Sequence, residues 1–252
     1  MKTQQMPAGP VPTERADLNG KFVFLSASLP DAPAPGTDPS GTSNAEVTRA
    51  VVSVARGILE SNGGIVFGGH PTITPLLLSV AHEVFGGAGG IGGGSVPWEP
   101  AQGPRLIAYQ SRLFDLIRPR EVAELTAVQA GLAQIVETEV ADGEVPPRTP
   151  QEIRPQATKG SLAIMRSRMI SEFHPVAAIY IGGKQGIVDE HRAASEVIPW
   201  HYPIAAPGGA TAAVLAKESH RLTESLRKDL ESSRNYPLLA AAIVEDILHR
   251  TR

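Results

Sequence analysis

The 252 residues include no cysteine. That absence excludes disulfides, thiolate nucleophiles and thiolate metal sites together. His70, His174 and His191 have no spacing suited to shared ligation, so neither a metal site nor a resident cofactor is expected. Lys and Arg number 23 against 26 Asp and Glu, a net charge of −3. No excess of positive charge is available to neutralise a nucleic-acid backbone or to grip an anionic membrane, so any anion must be met locally. No stretch approaches the ~20 apolar residues that cross a bilayer, and the N-terminus has no signal-like pattern, which points to the cytosol. No Gly-x-Ser-x-Gly elbow occurs, which removes the usual signature of a serine hydrolase.

The chain is 42% hydrophobic and 19% charged, enough apolar surface for one large core without covalent staples. Met1 to Asn19 is polar and carries prolines, and is expected to be a loose arm before a single domain over 20–252. Along that domain strands and helices alternate. Lys21 to Leu25 reads as a strand, and Pro30 to Asn44, dense in Pro, Gly, Asp and Ser, as a loop able to form a lid. A helix from Asn44 to about Ser61 follows, with Val47, Val51, Val54, Ile58 and Leu59 on its buried face. Gly86 to Gly94 holds many glycines but follows a helix, so it reads as a surface loop and not a dinucleotide fingerprint. Arg105 to Gln110 reads as a strand, Glu121 to Ala133 as a helix, 141–160 as a long connection and Ser161 to Phe173 as a helix. Such alternation implies an α/β fold with a doubly wound, mostly parallel sheet whose ligands bind beyond the carboxyl ends of the strands.

Three glycine turns follow strands and precede helices. The first is Gly68-Gly69-His70-Pro71-Thr72-Ile73-Thr74, where Thr72 and Thr74 sit near a helix start and Pro75 suits its first position. The second is Gly182-Gly183-Lys184-Gln185-Gly186 after the apolar run 176–181. The third is Gly208-Gly209 before a helix from Ala212 to Ser219. Glycine lets backbone N–H groups approach a ligand, and the helix behind it points its positive end at the same spot, so phosphate is the expected guest. A β-branched residue at Gly183 is expected to block that approach and leave the fold intact. Ser26 and Ser28, after the first strand, offer hydroxyls to a phosphate or ribose.

Met165-Arg166-Ser167-Arg168-Met169 precedes the second turn, and Asp189-Glu190 follows it. With these motifs the chain resembles the SLOG superfamily, Rossmann-like domains that include lonely-guy phosphoribohydrolases and sensors of nucleotide derivatives in bacterial conflict systems. The resemblance extends over most of 20–220. In the lonely-guy enzymes the second turn reads Pro-Gly-Gly-x-Gly-Thr-x-Glu-Glu. Here Ile181 replaces the proline, one more residue separates Gly183 from Gly186, and Ile187 replaces the threonine, so the enzyme motif is degraded. The resemblance gives Arg166 or Arg168, and Glu190, the catalytic positions. The two arginines lie about 200° apart on a helix, so they cannot share a face. Arg166, beside Leu162 and Met169, is the favoured cleft residue.

The resulting expectation is a sensor that binds a phosphorylated ribose compound, such as ADP-ribose, a cyclic relative or another NAD-derived signal, in a defence or stress system. The ligand set is Ser26, Ser28, Gly68, Gly69, His70, Thr72, Thr74, Arg166, Gly182, Gly183, Lys184, Gly186, Glu190, Gly208 and Gly209. The alternative is a phosphoribohydrolase that cleaves an N-glycosidic bond, with Arg166 and Glu190 as its catalytic pair. Family relatives imply self-association, for which the apolar helix from Tyr236 to Leu248 offers a surface, and an effector protein that receives the signal.

Overall fold

The computed structural model describes residues 17–29, 44–85, 103–117 and 131–252. The expected lid at 30–43, the glycine-rich loop at 86–94 and most of the expected helix at 121–133 lie outside these residues. Six strands form one parallel sheet: β1 (Phe22–Ser28), β2 (Gly64–Gly68), β3 (Leu106–Ser111), β4 (Ala133–Thr138), β5 (Ala177–Gly182) and β6 (His201–Ile204). Their order is β4-β3-β2-β1-β5-β6. The chain winds outward from β1 to β4, then returns to place β5 on the other side of β1. The winding direction therefore reverses between β1 and β5, the fold is doubly wound and Rossmann-like, and a crevice opens at that switch point.

Alternating residues of each strand feed two layers. Val23, Leu25, Ile65, Phe67, Ile179 and Ile181 face α1 (Asn44–Glu60), α2 (Thr74–Phe85), α6 (Glu224–Ser232) and α7 (Tyr236–Arg250). Phe24, Val66, Tyr109 and Tyr180 face α3 (Lys159–Ser171) and α4 (Gln185–Ala194). The short helix α5 (Thr211–Glu218) supplies Leu215 to the first layer and Val214 to the second. All five apolar positions read on α1 are buried. Burial of a side chain of that size contributes about 1.5–3 kcal/mol, which makes α1 a main anchor of the sheet. Pro203 lies in the edge strand β6, where the missing N–H leaves no inner ladder bond unmade.

Several expectations change here. β1 runs on through Ser28, because Ala27 and Ser28 pair with Ile181 and Gly182 of β5. Ala133 opens β4 and does not close a helix: Leu106 to Ser111 of β3 pair with Ala133 to Thr138. The end of the expected loose arm already belongs to the fold, since Leu18 is fully buried and its N–H donates to the Ser61 carbonyl at 2.6 Å. The apolar side of α7 is buried against the first layer, and Leu238 is left exposed. No helix among the described residues is long and apolar enough to cross a membrane.

Candidate functional site

A cleft of about 320 Å³ opens at the switch point, within the range of small-molecule sites. Its wall draws on Ser26 and Ser28 at the end of β1, Gly68 at the end of β2 with Gly69 and His70 after it, Arg166 on α3, and Gly186 and Glu190 on α4. These eight come from the expected ligand set and from elements up to 164 residues apart, brought together by the Ser26–Glu190 contact. That contact is a hydrogen bond from the Ser26 hydroxyl to Glu190 Oε2 at 2.5 Å. Arg166 Nε donates to Glu190 Oε1 at 3.4 Å. Both charged side chains are 19% exposed, so the pair is screened less than a surface pair but still reaches solvent.

Burial raises the Glu190 carboxyl above the usual glutamate range, and the nearby Asp189 adds to the effect. The Ser26 hydroxyl and Arg166 act in the opposite direction without cancelling it. Asp189 itself points away: it accepts from Gln185 Nε2 at 3.0 Å and lies 3.8 Å from Arg192. One position apart on a helix is about 100°, so only one of the paired acids can enter the cleft. The same geometry separates the arginines. Arg166 lines the cleft, whereas Arg168 donates to Glu172 at 2.5 Å and to the Glu137 carbonyl at 3.2 Å.

Gly186 lies in the first turn of α4, and a Cβ there would stand 3.7 Å from Arg166 Nη2. The guanidinium and the positive end of α4 thus border the same space, which suits an anion. His70 is held by Thr72, whose hydroxyl lies 2.8 Å from Nδ1, and burial lowers the imidazole's pKa so that the neutral ring is favoured.

The remaining expected residues lie elsewhere. Thr72 is exposed and Thr74 is fully buried at the start of α2, neither on the cleft wall. Lys184 is exposed at the N-cap of α4. Gly182, Gly183, Gly208 and Gly209 all take left-handed φ values of 67° to 88° and pack the two turns against each other. A Cβ on Gly209 would sit 2.6 Å from the Gly182 carbonyl, and one on Gly183 would sit 2.2 Å from Ile187 Cδ1. The Gly183 N–H donates to the Ser28 carbonyl at 3.0 Å, and its own carbonyl accepts from Ala210 at 3.1 Å. These glycines serve close chain packing. Valine at Gly183 would therefore strain the fold itself, contrary to the expectation that it would touch only the ligand.

Sequence reasoning missed the other side of the cleft: Phe67, Ile73, Gln110, Phe114, Leu162 and Met165. It also missed a buried cluster behind α4. Tyr180 Oη lies 2.9 Å from His201 Nδ1, and His191 Nε2 lies 2.8 Å from Glu218 Oε1. The cluster ties α4 to β5, β6 and α5, which fixes the helix that carries Glu190. No group of three or more acidic or imidazole side chains suited to a metal occurs among the described residues.

No curated protein matches the chain. Residues 150–239, which carry Arg166, Glu190 and the two interlocked glycine turns, match the model of the SLOG cluster3 family.

Proposed function

We propose that the cleft binds a phosphorylated ribose compound, a nucleotide or NAD-derived signal such as ADP-ribose or a cyclic relative, and that the protein acts as a sensor in a bacterial defence or stress system, reporting to an effector protein. The observation that carries this reading is the convergence of the Arg166 guanidinium, the first turn of α4, the Ser26 hydroxyl and the Glu190 carboxylate on one cleft at the switch point. A guanidinium and a helix N-terminus suit phosphate, and a hydroxyl beside a carboxylate suits the vicinal hydroxyls of ribose. Binding is favoured over turnover because Glu190 is already engaged by both Ser26 and Arg166.

One observation favours a phosphoribohydrolase instead. A carboxyl raised above its usual range keeps a proton closer to neutral pH, as a general acid requires. In that reaction water adds to the anomeric carbon, the C–N bond breaks, and the base leaves with a proton. Incubation of the pure protein with nucleoside monophosphates, NAD and ADP-ribose separates the two readings, with native mass spectrometry to detect complexes and chromatography to detect free base. The expected result is a stable complex without release of base. Steady release that Glu190→Gln abolishes would replace the sensor by the enzyme.

A further inference from the structure

The cleft extends beyond the charged end. Its wall runs from α4, past the ends of β1 and β2, to Gln110 at the end of β3 and Phe114 in the short 3-10 turn Arg112–Ile117. Strands lie about 4.8 Å apart, so the lining strand ends from β1 to β3 span about 10 Å, with α4 beyond β1. The chemistry changes along that span. Ser26, Arg166 and Glu190 make one end ionic, while the β3 end carries the uncharged amide of Gln110 and, in the turn that follows, the Phe114 ring.

That amide is conspicuous in its bonding. Gln110 is only 5% exposed, yet among the described residues it makes one hydrogen bond, from Nε2 to the Ser111 carbonyl at 3.5 Å, the limit of the interaction. Buried amides ordinarily satisfy both their oxygen and their nitrogen, so the site favours a guest that supplies a donor and an acceptor side by side. A nucleobase edge does so, whereas a phosphate or a sugar would draw on charge or hydroxyls. The half-buried Phe114 ring offers the π-face on which a base stacks.

We propose that the β3 end of the cleft is a nucleobase subsite in which Gln110 reads the base edge and Phe114 supplies the stacking face. This rests on the sugar-phosphate reading of the opposite end. The test titrates two probes, AMP and ribose 5-phosphate, into the full chain and into Gln110→Leu and Phe114→Leu by calorimetry. Leucine keeps most of the volume at both positions, and circular dichroism checks that each variant is folded. The parent is expected to bind AMP at least roughly tenfold tighter than ribose 5-phosphate, and each variant to shrink that ratio with the ribose 5-phosphate affinity unchanged. Equal affinity of the parent for both probes, or equal weakening of both probes in the variants, overturns the base subsite and leaves the sugar-phosphate reading standing. Failure of the parent to bind either probe overturns both.

Discussion

Glu190 is the residue at which fold and function are in tension. Its folded-state pKa is raised, chiefly by burial, so its contribution to stability is fully present below the ordinary value of 4.5 and is lost as pH rises through the folded value. Burial thus disfavours the ionised carboxylate, an effect that the Ser26 and Arg166 contacts only partly offset. Glu190→Gln keeps the shape and can still accept from Ser26. The variant is expected to melt at or above the parent's temperature at pH 7 while it binds ADP-ribose more weakly; scanning calorimetry beside a binding titration checks both. A marked loss of thermal stability would mean that Glu190 is structural. The interlocked glycines behave oppositely, because a side chain at Gly209 meets the backbone of Gly182 before it meets any ligand.

Among the elements, α3 depends on one side chain for its N-terminal cap. Its N-terminus is capped from the preceding connection: Glu144 Oε1 accepts from the Gly160 N–H at 2.7 Å, and Oε2 from the Ser161 N–H at 3.0 Å and its hydroxyl at 2.5 Å. The Ser161 hydroxyl, foremost, and these amides hold the Glu144 carboxyl below the usual range. A lowered folded-state pKa gives stability that is present above the ordinary 4.5 and is lost as pH falls through the lowered value. Glu144→Gln should cost about 1 kcal/mol at pH 7, and denaturant titrations should show the difference from the parent closing as pH falls below the ordinary value of 4.5. Since α3 carries Arg166, the same variant should loosen ligand binding only slightly, because the rest of the helix stays packed through Met165, Met169 and Ile170.

The alternation of strands and helices and the places of the turns were legible because periodicity and glycine placement are local signals. Two elements were not. β4 shows little alternation in Ala133-Gln-Ile-Val-Glu-Thr138, since it is an edge strand with only its ends buried. The helix α6 has only two buried positions, Leu226 and Leu230; Thr223, whose hydroxyl accepts from the Leu226 N–H at 3.3 Å, was the signal available.

At the scale of the molecule, the site is a product of strand order. Arg166 and Glu190 lie in the segment that matches the SLOG cluster3 family, but Ser26, His70 and Gln110 lie outside it and reach the cleft only because β1 pairs with β5 and β2 and β3 follow beside it in the sheet. Residue spacing could suggest the first group. It could not suggest Gln110 or Phe114, whose place depends on which strand end faces which helix. Gly182, Gly183, Gly208 and Gly209 were misread for the same reason: a left-handed glycine needed for a ligand and one needed for a neighbouring segment of the same chain look alike until the neighbour is placed.

The central claim is that Arg166 holds the phosphate of a ribose compound in this cleft. Calorimetric titration of ADP-ribose into the parent and into Arg166→Ala, with both shown to be folded, addresses it most directly. Charge-assisted hydrogen bonds contribute roughly 1.5–3 kcal/mol, so saturable binding by the parent should weaken roughly 10- to 100-fold in the variant. Equal affinity in the two proteins, or no binding by the parent, would contradict the claim.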